Sequence, residues 1–382
     1  MLKSDPRLVD LPTPSLVLDE AKMLKNARRL AMRASLLGVS LRPHLKTVKS
    51  IDVATHLLTD GNGPATVSTL AEAEVFAAAG IKDITYAVGI VPQKLARVAR
   101  IREHGCDLSV ILDSPEQALA VAAASKKYGQ SIPVLIEIDC DGHRSGVTPG
   151  DPVLMEIGRI LHGGGAELRG VLTHAGESYE VYGHEAHAKC AEEERLAAVK
   201  SADVLCAAGL PCPVVSIGST PTAHAIENVD GITEIRAGVY SFFDLVQAGV
   251  GVCDVDDIAL SVLTTVLGHQ CEKGWIVTDS GWMALSQDRG TASQKLDQGY
   301  GVVCDEAGSA IPDLIIVQAY QEHGIIAVRP GSDAKLPDLP LGTRLRILPN
   351  HACAMAAKFN EYQVIPQDPG AALKAWPRFG GW

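Results

Sequence analysis

Eight times between residues 39 and 236 the chain follows a short β-rich run with a longer polar or helix-forming stretch. The runs cover 39–45, 66–68, 84–88, 108–112, 134–139, 169–174, 214–217 and 234–236. Stretches 70–79, 93–103, 115–128 and 183–208 between them predict helices. Parallel strands need long crossovers, and helices supply them, so the alternation predicts a parallel sheet. Eight βα repeats close a (β/α)8 TIM-type barrel, whose usual size is ~250 residues. An open doubly wound sheet is disfavoured, because no GxGxxG follows the first run. The barrel is expected over residues 20–250.

The pattern changes after residue 251. Runs 259–267, 274–278, 314–319, 324–328 and 344–348 read as strands separated by Gly/Pro-rich turns, with no comparable helices. A mostly β C-terminal domain is expected over 251–382. Segment 1–19, with a strand at 15–18, is a candidate to join it, and the tail after Pro366 is expected to be irregular.

Composition narrows the partners. With 34 Lys and Arg against 45 Asp and Glu, the net charge is −11, which argues against nucleic acid or an anionic membrane as partner. No apolar run approaches the ~20 residues of a membrane span. Nine cysteines cannot all pair within one chain, and no CxxC occurs. Free thiols in a cytoplasmic protein are the expectation.

Barrels carry their chemistry at the C-terminal ends of the strands. Those ends supply Lys46, Ser68, Thr69, Asp113, Arg144, His174, Gly218-Ser219-Thr220, Arg236 and Gly238. Gly218-Ser219-Thr220 leaves a strand and enters a helix at Pro221. Glycine lets the backbone approach an anion, hydroxyls donate to it, and a helix N-terminus adds a positive field. The following loop, Arg236-Ala237-Gly238-Val239-Tyr240, offers further donors. An ordinary helix cap is the alternative reading. Lys46 would point into the barrel mouth, where burial and neighbouring cations favour the neutral amine; the alternative is a solvated surface lysine. A reactive amine beside a phosphate site suggests pyridoxal 5'-phosphate. In the β domain, His351-Ala352-Cys353 would place imidazole and thiol on one face of a strand, half of a divalent-metal site. A buried cysteine beside a hydrogen-bonded histidine is the alternative there.

Six motifs, in order, resemble the D-serine dehydratase and D-threonine aldolase family of alanine-racemase-like, fold type III pyridoxal phosphate enzymes. They are Arg42-Pro43-His44-Leu45-Lys46-Thr47, residues 139–146, 173–179, 218–222 and 236–244, and Asn350-His351-Ala352-Cys353. The resemblance covers nearly the whole chain. It implies Lys46 as the Schiff-base lysine and Arg144 as a contact to the cofactor's phenolic oxygen. It makes Gly218, Ser219, Thr220, Gly238 and Val239 the phosphate cradle. His174, Tyr179 and Tyr240 are candidate cofactor-lining residues. His351 and Cys353 would hold a divalent metal (zinc, manganese, cobalt or magnesium). The family's dehydratases carry His-x-Cys and its aldolases His-x-Asp, so Cys353 favours dehydration. Arg236 is typical instead of the racemase branch, where it faces the pyridine nitrogen.

The implied activity is a lyase that removes ammonia from D-configured 3-hydroxy amino acids. D-threo-3-hydroxyaspartate, giving oxaloacetate, is the first expected substrate, with D-serine, giving pyruvate, as the alternative. Arg42, His44, His143 and Arg236 are candidates for the extra carboxylate. A retro-aldol enzyme and a non-catalytic pyridoxal phosphate carrier are the rivals. A homodimer is the expected assembly.

Overall fold

The computed structural model describes residues 3–382; Met1 and Leu2, the start of segment 1–19, lie outside them. The chain forms two units, one of residues 29–238 with 380–382, the other of 239–379 with the N-terminal segment through Arg28.

The first unit is the barrel. Its strands are Ser40–Pro43, Ala65–Val67, Asp83–Gly89, Asp107–Leu112, Pro133–Ile138, Glu167–Thr173, Val214–Ile217 and Glu234–Ala237. Each pairs in parallel with its neighbour, and the first strand pairs with the last. The ring closes through a single parallel bridge, His44 to Thr66, in which the Leu45 N–H donates to the Thr66 carbonyl at 2.8 Å. Every residue of Pro133–Ile138 is buried, as a parallel strand covered on both faces requires.

Local chemistry sets the helix limits. Ser114 and Gln117 form a reciprocal capping box ahead of Pro115–Tyr128, and Gly129 ends that helix at φ 63°. The long helix His184–Ala207 buries Ala191, Glu194, Ala198, Ala202 and Leu205, a stripe at three- and four-residue spacing. Its glutamates read as solvated in the sequence, yet Glu194 is only 1% exposed.

The second unit holds a nine-stranded sheet. Ser15–Asp19 lies between Leu260–Gln270, antiparallel to it, and Glu361–Ile365, parallel to it. Leu8, Val17, Leu263 and Ile365 form a buried cluster there. The tail is more regular than expected, because Lys374–Pro377 is an edge strand that sets Trp376 opposite Tyr362. Edge strands tolerate proline, so Pro377 did not forbid pairing. The division between units falls at 28/29 and 238/239, inside the expected 20–250. Leu245 N–H donates to the Pro349 carbonyl at 3.0 Å, and Ala352 N–H to Asp244 at 3.0 Å, which ties 242–250 to the sheet unit. Among the described residues no helix is long and apolar enough to cross a membrane.

Candidate active site

Lys46 follows the closing bridge of the barrel. His44 N–H donates to the Ala237 carbonyl at 2.7 Å. Leu45 and Thr47 are fully buried, so the backbone is pinned on both sides of the lysine. The side chain itself is exposed, which corrects the expectation of a desolvated amine. Arg236 and Arg144 lie close enough for their fields to act on the neighbouring imidazoles. Burial, then the fields of Lys46, Arg236 and His174, hold the His44 imidazole well below the usual histidine range. His174 is lowered to about 4, chiefly by burial and then by Lys46, Arg144 and Arg236, against its hydrogen bond to the Gly218 carbonyl. Both imidazoles are therefore neutral at pH 7.

Across the mouth, Ser219 and Thr222 cap each other at the start of Thr220–Ala225. That helix has only six residues, so the macrodipole the sequence suggested is small. Gly218 sits at φ 137°, and a Cβ there would lie 2.1 Å from the Arg236 carbonyl. A Cβ on Gly238 would lie 3.2 Å from the His44 carbonyl. Packing against the neighbouring strand therefore forbids a side chain at Gly218, and Gly238 has little room for one.

The hydroxyls are divided. Thr222 Oγ1 donates to Glu194 Oε2 at 2.9 Å, and Ser219 Oγ lies 2.7 Å from Ser178 Oγ. Thr220 Oγ1 is buried with no partner. Leaving such a group unpaired costs ~1–3 kcal/mol, so it fits a donor awaiting a ligand oxygen, as a phosphate would supply. Val239 and Tyr240 belong to the other unit. Tyr240 is 1% exposed with an unpaired hydroxyl, whose ionisation burial pushes up.

Arg144 is solvent-exposed, with Nη2 3.6 Å from Glu137. Burial raises the Glu137 carboxyl, against the opposing field of Arg144. Arg236 is 5% exposed and donates to Ser216 Oγ and the Thr173 carbonyl. Arg42 is bonded to Glu234 at 2.8 Å and to Asp83 at 2.7 Å. Arg42 is thus removed from the candidates for a substrate carboxylate, as is Arg236, whose guanidinium is occupied inside the barrel; the half-buried His44, uncharged, offers only a neutral hydrogen bond. His143 is exposed, with Nδ1 3.9 Å from Glu177. The Tyr179 ring centroid is 6.3 Å from that of His174.

In the other unit, His351 is the N-cap of helix Ala352–Ala356, which follows strand Arg344–Leu348, and Cys353 lies in the helix's first turn, so neither is on a strand. The side chains still meet, through a hydrogen bond. Asn350 anchors the turn by donating to Thr291 Oγ1 at 3.0 Å and to the Gly299 carbonyl at 2.7 Å. Asp288, which the sequence did not reveal, lies 2.6 Å from His351 Nδ1. Burial opposes charge on His351, but hydrogen bonds to Asp288 and Cys353 outweigh it and raise the imidazole to about 11. A carboxylate on one ring nitrogen orients the other toward a metal, so imidazole, thiol and Asp288 suit a divalent ion. Among the described residues no group of three or more His, Cys, Asp or Glu side chains is placed to hold a metal.

Comparison with known proteins agrees with this arrangement. Residues 18–246 match the model of the alanine racemase N-terminal domain, and residues 259–365 match a serine dehydratase domain. D-threo-3-hydroxyaspartate dehydratase of Delftia sp. (strain HT23) is 53% identical over 98% of this chain and 99% of its own. D-serine dehydratase of Dictyostelium discoideum is 29% identical over 94% of each chain. A solved structure of D-threo-3-hydroxyaspartate dehydratase, its C353A mutant in the metal-free form, superposes with a TM-score of 0.94 at 52% identity, over 98% of this chain and 99% of the other. By fold and sequence, this chain belongs to the alanine-racemase-like family, in the branch that joins the racemase barrel to a serine dehydratase domain.

Proposed function

We propose that the chain is a pyridoxal 5'-phosphate- and divalent-metal-dependent lyase that dehydrates D-configured 3-hydroxy amino acids. Its first substrate is D-threo-3-hydroxyaspartate, converted to oxaloacetate and ammonia. The observation that carries this reading is full-length likeness to a D-threo-3-hydroxyaspartate dehydratase in a chain that carries Lys46 and the His351, Cys353 pair. The coenzyme supplies an electron sink for the α-carbon, and the metal a Lewis acid for the β-hydroxyl.

The chain's own groups do the rest. Lys46 Nζ would hold the coenzyme's aldehyde carbon, and its free amine would take the α-proton. Arg144 contacts the coenzyme's phenolic oxygen. Gly218, Ser219, Thr220, Gly238 and Val239 hold its phosphate, with Thr220 Oγ1 the donor in waiting. His174, Tyr179 and Tyr240 line it. If the buried Arg236 faces the pyridine nitrogen, it would disfavour a proton there, because two positive charges would be close. His351 and Cys353 hold the metal. Of the candidates for the second substrate carboxylate, His143 is the exposed one. The β-hydroxyl leaves as water, water is taken up again on hydrolysis, and the net loss is ammonia. The working form is a homodimer in the cytoplasm.

The test is a visible spectrum of purified protein, followed by product analysis on D-threo-3-hydroxyaspartate, D-serine and D-threonine. The reading expects a coenzyme band, oxaloacetate as the fastest product, and slower pyruvate. Glycine and an aldehyde from D-threonine at a higher kcat/KM would make it an aldolase. A colourless protein that gains no band with added coenzyme would overturn the whole reading.

A further inference from the structure

Glu194 is a buried carboxylate to which the proposed reaction assigns no part. It projects from the middle of helix His184–Ala207, and four donors converge on it. Oε1 accepts from Thr173 Oγ1 at 2.9 Å, Ala175 N–H at 3.1 Å and Gly218 N–H at 2.8 Å. Oε2 accepts from Thr222 Oγ1 at 2.9 Å.

The location explains the donors. Strands Glu167–Thr173 and Val214–Ile217 pair as far as Leu172 and Ser216, then part. Beyond that point the N–H groups of Ala175 and Gly218 would face each other without acceptors. The carboxylate fills the split between the strand ends. Its hold on Thr222 fixes the hydroxyl directions that follow. Thr222 donates to Glu194, so its oxygen is left to accept the Ser219 N–H at 3.0 Å. Ser178 donates to the Ala175 carbonyl at 2.7 Å, so at the Ser178–Ser219 contact Ser219 is the donor. The Gly218 carbonyl is held at 3.1 Å by His174. Glu194, His174 and Ser178 thus fix the groups around Gly218 and Ser219, while the hydroxyl of Thr220 is left without a partner.

We infer that Glu194 is the positioning residue of the phosphate cradle: it holds Gly218-Ser219-Thr220 in the shape that receives the coenzyme phosphate before the coenzyme arrives. The inference rests on the proposed coenzyme and adds a residue to its site. Glu194 does not touch the phosphate. It acts through Gly218 and Thr222.

The experiment compares two ligands that differ only in the phosphate. Pyridoxal 5'-phosphate and pyridoxal are titrated into the coenzyme-stripped protein, with the visible band as readout. The proteins are wild type, Glu194→Ala, Glu194→Gln and Thr222→Val. Glutamine keeps an oxygen for the three donors at Oε1 and turns its amide toward Thr222, so it should hold phosphate-ester affinity within about threefold. Glu194→Ala should raise the Kd of pyridoxal 5'-phosphate ~10–100-fold, the worth of a lost hydrogen bond to a charged group, and leave the Kd of pyridoxal within about twofold. Thr222→Val removes one link of the same relay and should move the ratio of the two Kd values in the same direction, so the test survives if Glu194→Ala does not fold. A parallel loss of both affinities would mean that Glu194 only supports the fold, and an unchanged ratio in Thr222→Val and Glu194→Ala would also overturn the inference. Failure of wild type to bind pyridoxal 5'-phosphate would instead refute the coenzyme itself.

Discussion

The two edges of the barrel mouth are built on opposite plans. On the Gly218 side the backbone, the hydroxyls and a buried carboxylate are bonded to one another, and a single hydroxyl is unpaired. On the Lys46 side the backbone is pinned, but Lys46 and Arg144 reach into solvent. A site for an anion can be made rigid in advance, because the ligand brings its charge and leaves the donors where they were. A reacting amine must exchange partners during turnover, and a fixed partner would hinder it. The contrast separates binding, which is organised beforehand, from reaction, which keeps its groups mobile.

Breaking the reactive edge should cost most. Lys46→Ala is expected to abolish the visible band and to lower turnover by ~10³-fold or more, with little change in the melting temperature of the coenzyme-stripped protein, since the side chain is exposed. Next come the groups that orient a ligand without reacting. In the second unit Asp288→Asn should weaken metal affinity ~10–100-fold, measured by competition with a chromogenic chelator, because it frees the His351 ring to turn. Thr220→Val should raise the Kd of pyridoxal 5'-phosphate by about tenfold without lowering thermal stability, because the hydroxyl it removes has no partner in the protein. A fall in stability instead would show that the hydroxyl serves the fold and would erase the contrast between the two edges.

The smallest effect is on pH dependence. His174 titrates at about 4 in the fold and near 6.5 when unfolded, so the unfolded chain binds more protons between those values. Stability is therefore fully present above about pH 6.5 and falls as pH drops toward 4, by at most ~1.4 kcal/mol per pH unit from this residue. Chemical denaturation of wild type and His174→Gln across that window should show a shallower slope in the variant, which keeps a donor for the Gly218 carbonyl.

Much of this was legible in the sequence. All eight barrel strands announced themselves, because a strand buried on both faces reads as an apolar run that a helix then follows. Lys46, His351 and Cys353 stood out by residue type within short motifs. What was hidden depended on distance in space. Asp288 lies 63 residues from His351, and no local pattern marks it. Glu194 sits in a run of three glutamates, and composition assigned all of them to solvent. Its spacing of three from Ala191 and four from Ala198 was the available signal, since it places the carboxylate on the buried stripe. The exposure of Lys46 could not be read from a motif. The strand Lys374–Pro377 was missed because an edge strand of four residues ending in proline resembles a turn.

One parallel bridge joins the first and second strands of the barrel, and Lys46 is the second residue beyond its His44 end. The stitch that completes the cylinder and the amine that would anchor the coenzyme thus share one short piece of chain. Prying the cylinder apart there would carry the amine away with it, so a coenzyme held by Lys46 would also brace that join.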